Sequence, residues 1–413
     1  MMRKHDLAAA VLLAATVLIA LLLRGLDAPL DFDEHYHIAT IEQIRQQFPA
    51  VELNRTPAAT PLLYHFMAAG IAGLMNENLL AARILTAFMA VGVLWGLYWL
   101  AGRKLQLTQP LWAVIVVALH PAILWYSSMA MTEVPSLFWA VLALVAISTV
   151  RPPWLAGLGA GISMAAAVWT RQTWVFLPLV LLIVVWRKFS FRNLLSDPMT
   201  LAGAIALLSA GALFIMWGGF APPGEYASSH ALALNLAQPL FGLAMIGLYL
   251  PVVALSWRVT PFAIAATAFV TILVCVPADS LVRVYLAGDT LTNPQGPLQG
   301  ILNLVAAKVG HVPASVVCLA LVVLGVLTTM RLILAATWNR AIAFTMLCVA
   351  TLALLLLLVP QVWERYWSPA VPMTILASIR VMEQSKKSRT MIRLQYAHLI
   401  CIGLAYFFWQ LLT

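Results

Sequence analysis

The run LAAAVLLAATVLIALLL, Leu7 to Leu23, carries no charged side chain. Comparable runs recur along the whole chain. A bilayer core takes about 20 consecutive apolar residues as a helix, and a chain in hydrocarbon must satisfy every backbone N–H and C=O internally, so helices and closed barrels are the viable spanning forms. These runs are continuous and do not alternate apolar with polar, which argues against a barrel. Composition agrees: 63% of the 413 residues are hydrophobic, 9% are charged and the mean hydropathy is +0.93. The expected fold is an all-α polytopic membrane protein in a single domain, 1–413.

The hydropathy places spans at 7–25, 79–102, 110–128, 132–150, 154–170, 173–187, 199–219, 232–255, 261–277, 313–331, 341–360, 366–382 and 394–412, about 13 transmembrane helices. Leu7–Leu23 follows a basic start, MMRKHD, like a signal sequence. No small-residue cleavage site comes after it, and it reads as an uncleaved first span. With a cytoplasmic N-terminus, the inner loops hold 16 of the 24 Lys and Arg residues, as the positive-inside rule expects. The net charge of +9 is thereby explained by membrane topology, without nucleic acid. Carboxylates carry little topological weight, yet 12 of 15 fall outside or at the outer boundary. Longer outer loops would explain part of this, and an external active site would explain it more fully. Cys275, Cys318, Cys348 and Cys401 stand alone in apolar stretches, with no disulfide or zinc spacing.

Three outer loops are substantial: 26–78, 220–231 and 278–312. The first is expected to hold helices at the membrane surface, among them LLYHFMAAGIAGLM (Leu62–Met75), too short to span and read as an amphipathic interfacial helix. It also contains DFDEHYHIAT (Asp31–Thr40), with three carboxylates and two imidazoles in seven residues. On a helix, Asp33 and Glu34 share a face with His37, and His35 points away. Such a set can act as a general base or ligate a divalent metal together with Asp31; equally, Asp31 or Asp33 can be a plain N-cap. In SSMAMTEVPS, Glu133 stands at a depth where a carboxylate costs about 2.5–3.5 kcal/mol, unless it serves as a charge at a helix start. In TRQTW, Arg171 lies outside against the positive-inside bias, with the fork geometry for phosphate oxygens. His230 and the QVWERYWSP stretch, containing Glu364, Arg365 and Tyr366, complete the outer polar set; Trp363 and Trp367 fit an interfacial belt. GLGAG (Gly157–Gly161) contains a GxxxG spacing suited to close helix packing.

At these residues the chain resembles the dolichyl-phosphate-glucose α-1,2-glucosyltransferase family, which adds the terminal glucose to the lipid-linked N-glycan precursor. Asp33-Glu34-x-x-His37-Ile38 is similar to that family's first lumenal loop. Thr56, Pro57, Pro61, Leu63 and Tyr64 match its Thr-Pro and Pro-x-Leu-Tyr, while Thr132, Glu133 and Ser136 match Thr-Asp/Glu-x-x-Ser. Arg171, Gln172 and Thr173 resemble Arg-Gln-Thr-Asn, with Trp174 in place of the Asn. Gly224, Glu225, Ser229, His230 and Gln238 resemble Gly-Asp…Ser-His…Gln, and Arg365-Tyr366 the terminal Arg-Tyr. The family's Asn-Arg-His-Tyr run is absent from Pro277–Gly296. The compact loops suggest a prokaryotic relative.

The resemblance implies a C-type glycosyltransferase fold with its site facing the periplasm or exterior of a prokaryotic inner or plasma membrane. It implies inverting transfer of a hexose, glucose in the family, from a polyprenyl-phosphate sugar donor to a lipid-linked glycan or glycolipid acceptor, with membrane lipids around it and no metal or other cofactor. Its expected catalytic residues are Asp33, Glu34 and His37. Arg171, His230 and Arg365 are expected at the donor phosphate, and Glu133, Gln172, Tyr64, Gln238 and Tyr366 at the sugar or acceptor. The competing class is a transporter or flippase of a lipid-linked sugar. Transporters place charge near the bilayer midplane, whereas these charges gather at one surface.

Overall fold

The computed structural model describes residues 4–26, 28–30, 33–53, 55–186, 197–223, 234–235, 237–256, 296–359, 364–384 and 389–412. Among them the only regular elements are helices. The chain forms two compact units, 1–100 with 123–231, and 101–122 with 232–413.

The first unit contains α1 (Lys4–Arg24), α2 (Glu34–Gln47), α3 (Leu63–Met75), most of α4 (Asn78–Arg103), α7 (Glu133–Thr149), α8 (Pro153–Thr170), α9 (Phe176–Val185) and α10 (Pro198–Trp217). Local chemistry sets the helix ends. Gly25 leaves α1 with φ +90° and Asn76 leaves α3 with φ 56°, the left-handed stop these two residue types favour. Asp197 caps α10 by accepting from the Thr200 N–H, with Pro198 at the first helical position. α8 packs on α10 through the predicted glycine pair. A Cβ at Gly157 would stand 2.9 Å from Leu201 Cβ, and one at Gly161 would stand 2.8 Å from Ile205 Cβ. The backbones approach closely because those side chains are missing.

The second unit holds α5 (Pro110–Ala118), the first residues of α6 (Pro121–Leu124), α11 (Ala237–Tyr249), α12 (Pro251–Leu255), α13 (Pro297–Lys308), α14 (His311–Ala336), α15 (Arg340–Leu356), α16 (Val371–Gln384) and α17 (Arg389–Leu412). Here Gly247 on α11 and Gly325 on α14 lie against each other's helix backbone, at the Leu321 and Leu243 carbonyls.

Five described helices are long and apolar enough to cross a membrane: α1, α4, α10, α14 and α17. A sixth is counted if α5 and the following 121–128 segment, bent by 71°, make one broken span. The protein is therefore an integral, multi-pass membrane protein. The sequence count of about 13 spans is larger because several apolar runs form shorter helices, such as α7, α11 and α15. The expected span 261–277 lies outside the described residues, as does most of the 278–312 loop. The 26–78 segment contains the two expected helices, α2 and α3. On α3, Tyr64 and His65 are buried whereas Leu74 is 88% exposed, so the polar side chains of this helix face protein and an apolar one faces out.

Gly161→Leu is expected to overpack the α8–α10 contact and cost about 1–3 kcal/mol, read as a lower melting temperature in detergent. Gly159→Leu, at a position with open space around its Cβ, should be tolerated.

Candidate active site

Glu34, the first residue of α2, is completely buried. Both of its oxygens are occupied. Oε2 accepts from Arg24 at 2.8 Å and from Arg83 at 2.9 Å, and Oε1 accepts from Arg83 Nε at 3.1 Å and from the Ala130 N–H at 2.7 Å. Arg83, on α4 and itself buried, also donates to the carbonyls of Leu26 at 2.8 Å, Ala28 at 2.9 Å and Pro29 at 3.3 Å. Arg24 donates to the Ser128 carbonyl at 3.1 Å and lies over the Trp125 ring. This one carboxylate thus joins the end of α1, the 26–29 loop, α4 and the 128–130 segment. Burial opposes its ionisation, but the hydrogen bond from Arg83, the charge of Arg24, the Ala130 N–H and the charge of Arg83 outweigh that and hold its carboxyl below the usual range.

Asp33 is the N-cap residue of α2, but its side chain makes no capping hydrogen bond. Its carbonyl accepts from the N–H groups of Tyr36 and His37. His37 is buried on the Glu34 face, whereas His35 is exposed, as the helical spacing requires. Nδ1 of His37 lies 2.8 Å from Nε2 of His65. Burial, and then the neighbouring His37, push His65 well below the usual imidazole range, so it is neutral. Tyr64 is committed elsewhere: its hydroxyl bonds the Ala82 carbonyl at 3.1 Å and Thr86 Oγ1 at 3.0 Å, tying α3 to α4.

Three residues beyond the Ala130 anchor, α7 begins with Glu133. Its Oε1 accepts from Arg171 at 2.7 Å, and Arg171 also donates to Thr132 Oγ1 at 3.1 Å. Both charged residues are buried. Arg171 ends α8 in an extended conformation, which turns its side chain away from the helix course. Gln172 follows and donates to the Ala59 carbonyl at 3.3 Å. The 56–60 loop is in turn tied to α2, since the Ala58 N–H donates to Thr40 Oγ1 at 2.9 Å. Within the first unit, then, Glu34, His37, Tyr64, Glu133, Arg171 and Gln172 are each held by hydrogen bonds, in clusters that the chain joins.

In the second unit Arg365 is buried on a 3₁₀ turn, Glu364–Trp367, with its guanidinium 5.9 Å from the Tyr366 ring centre. Trp367 of this turn packs on Gly242, one helical turn beyond the buried Gln238. The turn therefore packs on α11, the helix that carries Gln238 near its start. Gly224, Glu225, Ser229 and His230 lie outside the described residues. Among the described residues no three His, Cys, Asp or Glu side chains are grouped to hold a metal ion.

Sequence reasoning missed Arg24, Arg83 and His65. Arg24 and Arg83 carried a readable signal, because Arg24 ends an apolar run and Arg83 falls inside one, where an ionisable residue requires a partner. His65 carried none beyond its place beside Tyr64.

No family model matches the chain, and no curated protein matches it. Among solved structures it is similar to the oligosaccharyltransferase AglB from Archaeoglobus fulgidus, in complex with an inhibitory peptide and a dolichol-phosphate, at 12% identity and a TM-score of 0.48; the match covers 98% of this chain and 56% of that one. It is also similar to ArnT from Cupriavidus metallidurans bound to undecaprenyl phosphate, at 13% identity and a TM-score of 0.42, covering 90% of this chain and 76% of that one. The chain thus spans little more than half the length of AglB. Likeness at this level assigns no family.

Removing one member of a buried ion pair costs about 3–5 kcal/mol. Glu34→Gln and Arg83→Met should each lower the melting temperature in detergent markedly. Because the folded carboxyl of Glu34 titrates below the ordinary value of 4.5, its contribution is fully present above that pH and is lost as pH falls through the folded value. In acid titrations, the stability gap between wild type and Glu34→Gln should close only below about pH 4.5.

Proposed function

We propose that the protein is a membrane glycosyltransferase of the C-type architecture. It moves a hexose, glucose by the family resemblance, from a polyprenyl-phosphate sugar to a lipid-linked glycan or glycolipid at the external face, with the N-terminus in the cytoplasm and inversion at the anomeric carbon. The observation that carries this reading is the buried framework at the start of α2. It anchors the α2 start, where Asp33 is followed by Glu34 and His37 meets His65, and Glu34 bonds the segment leading to the Glu133–Arg171 pair.

In this reading one displacement completes the transfer. The acceptor hydroxyl gives its proton to the Asp33 carboxylate, its oxygen bonds to the anomeric carbon, and the bond from that carbon to the phosphate oxygen breaks. Polyprenyl phosphate leaves with the bonding electrons. Asp33 is preferred to Glu34 as base on physical grounds. Glu34 has four charged or N–H donors on its two oxygens, and a carboxylate so stabilised as an anion is a weak base. His37 orients Asp33 or the acceptor. Arg171 stabilises the charge that grows on the leaving phosphate, the kind of electrostatic term that often dominates catalysis; the family resemblance gives Arg365 and His230 the same role. Glu133 holds Arg171 in position, and Gln172, Gln238 and Tyr366 contact sugar or acceptor. Tyr64 supports α3 from beneath.

The test is mass spectrometry of glycolipid products after incubating purified protein with a panel of polyprenyl-phosphate sugars and a native lipid extract. A sugar-dependent product is expected. Asp33→Asn should lower its rate by about 10²–10⁴-fold, the contribution of a general base, at an unchanged melting temperature. Transfer by Asp33→Asn at the wild-type rate would overturn the assignment of the base. Absence of product across the panel would overturn the enzymatic reading in favour of transport.

A further inference from the structure

Two buried imidazoles meet in the first unit, His65 on α3 and His37 on α2. Nδ1 of His37 and Nε2 of His65 are 2.8 Å apart, and the ring centres are 5.1 Å apart with 31° between the ring planes. That separation is close to the largest that rings joined through these two nitrogens allow, so the N–H···N bond runs along the lone-pair axis of each ring. Tyr64 stands edge-on to both rings, with centres 6.4 Å from His37 and 5.5 Å from His65, and its hydroxyl is tied to α4.

One proton lies between the two nitrogens, and its owner sets the chemistry of His37. A neutral imidazole carries one N–H and one acceptor nitrogen, and His65 is neutral. If His65 donated from Nε2, its Nδ1 would be a buried lone pair. That Nδ1 has no well-formed hydrogen bond, and the backbone group acting on the ring is the carbonyl of Pro61, four residues back. Proline has no N–H, so Pro61 offers an acceptor alone and favours the His65 proton at Nδ1. Nε2 of His65 is then the acceptor and Nδ1 of His37 the donor. In a neutral His37 the other nitrogen, Nε2, has only its lone pair.

We propose that His65 is a positioning residue for the transfer: it accepts the Nδ1 proton of His37 and so keeps Nε2 of His37 as an acceptor for the hydroxyl of the lipid-linked acceptor. The hydroxyl rests on the glycosyl-transfer reading, whereas the tautomer stands on the two rings alone. His37 is thereby assigned to the acceptor substrate and not to the Asp33 carboxylate, because an unprotonated nitrogen receives an O–H and repels a carboxylate. His37 aims the hydroxyl while Asp33 takes its proton. The hydrogen bond at one imidazole nitrogen decides the state of the other, and His65 acts only through that bond. It lies beside Tyr64, outside every motif that carries the family resemblance.

The test uses the full chain in nanodiscs, with isotope-labelled histidine, and nitrogen NMR at about pH 8, above the ordinary imidazole range. The His37 signals are those lost in His37→Gln. A proton on Nδ1, none on Nε2 and a coupling across the bond to His65 are expected. A proton on Nε2 of His37, or no coupling to His65, overturns the proposal. His65→Leu leaves the Nδ1 proton without an acceptor and should lower kcat by about ten- to hundredfold, the range known for partners that orient metal-bound imidazoles. His65→Gln, whose amide oxygen accepts from Nδ1, should recover most of that loss. Equal losses in the two variants at equal melting temperature also overturn it. If His65→Leu does not fold, the wild-type spectrum decides alone. Failure of transfer by wild-type protein with every donor would instead count against the reaction, and the spectrum needs no turnover.

Discussion

A carboxylate buried between two arginines holds four segments of the first unit together. Glu34 has no access to solvent, and its charge is balanced by Arg24 at the end of α1 and by Arg83 within α4. Moving such ions out of water costs several kcal/mol each, recovered only when geometry is good and the remaining hydrogen-bonding positions are filled. Here they are: Arg83 spends its other N–H groups on the carbonyls of residues 26, 28 and 29, and the last position on Glu34 is taken by the Ala130 N–H. The 26–29 loop, which has no helix of its own to satisfy its carbonyls, is thereby fixed by side chains, and Asp33 is presented at a defined place.

The same framework gives two adjacent carboxylates different surroundings. Asp33 and Glu34 are one residue apart, yet a helix start turns successive side chains about 100° from each other. Glu34 faces inward to the arginines, and Asp33 sits at the helix boundary. A group stabilised as an anion on every side serves as an anchor; a neighbour outside that cage can serve as a base. The Glu133–Arg171 pair shows the complementary pattern, because one Glu133 oxygen is used by the arginine and the other has no donor from the protein.

Most of the helical architecture was legible in the chain. Runs free of charge, bounded by Arg24-Gly25, by Asp197-Pro198 or by Trp217-Gly218, became helices with nearly the expected limits, because end chemistry is local. The GxxxG spacing at Gly157 and Gly161 became the close α8–α10 contact for an equally local reason: both glycines fall on one helix face. What hydropathy could not decide was which apolar helices cross a membrane and which pack short within the protein, since burial in protein and burial in lipid select the same side chains. For the candidate site, the sequence placed Asp33, Glu34, His37, Glu133, Arg171 and Gln172 on one side of the membrane but not with one another.

By itself the sequence determined that this is an all-helical, multi-pass membrane protein, and that Glu34 and His37 share a helix face. Those properties follow from composition and short-range periodicity. Only the tertiary structure decided that Glu34 is caged by Arg24 and Arg83, 10 and 49 residues away, that His37 meets His65, 28 residues on, and that Tyr64 bonds α4. Such pairings depend on which helices come to lie side by side, a long-range outcome of packing that no window of sequence contains.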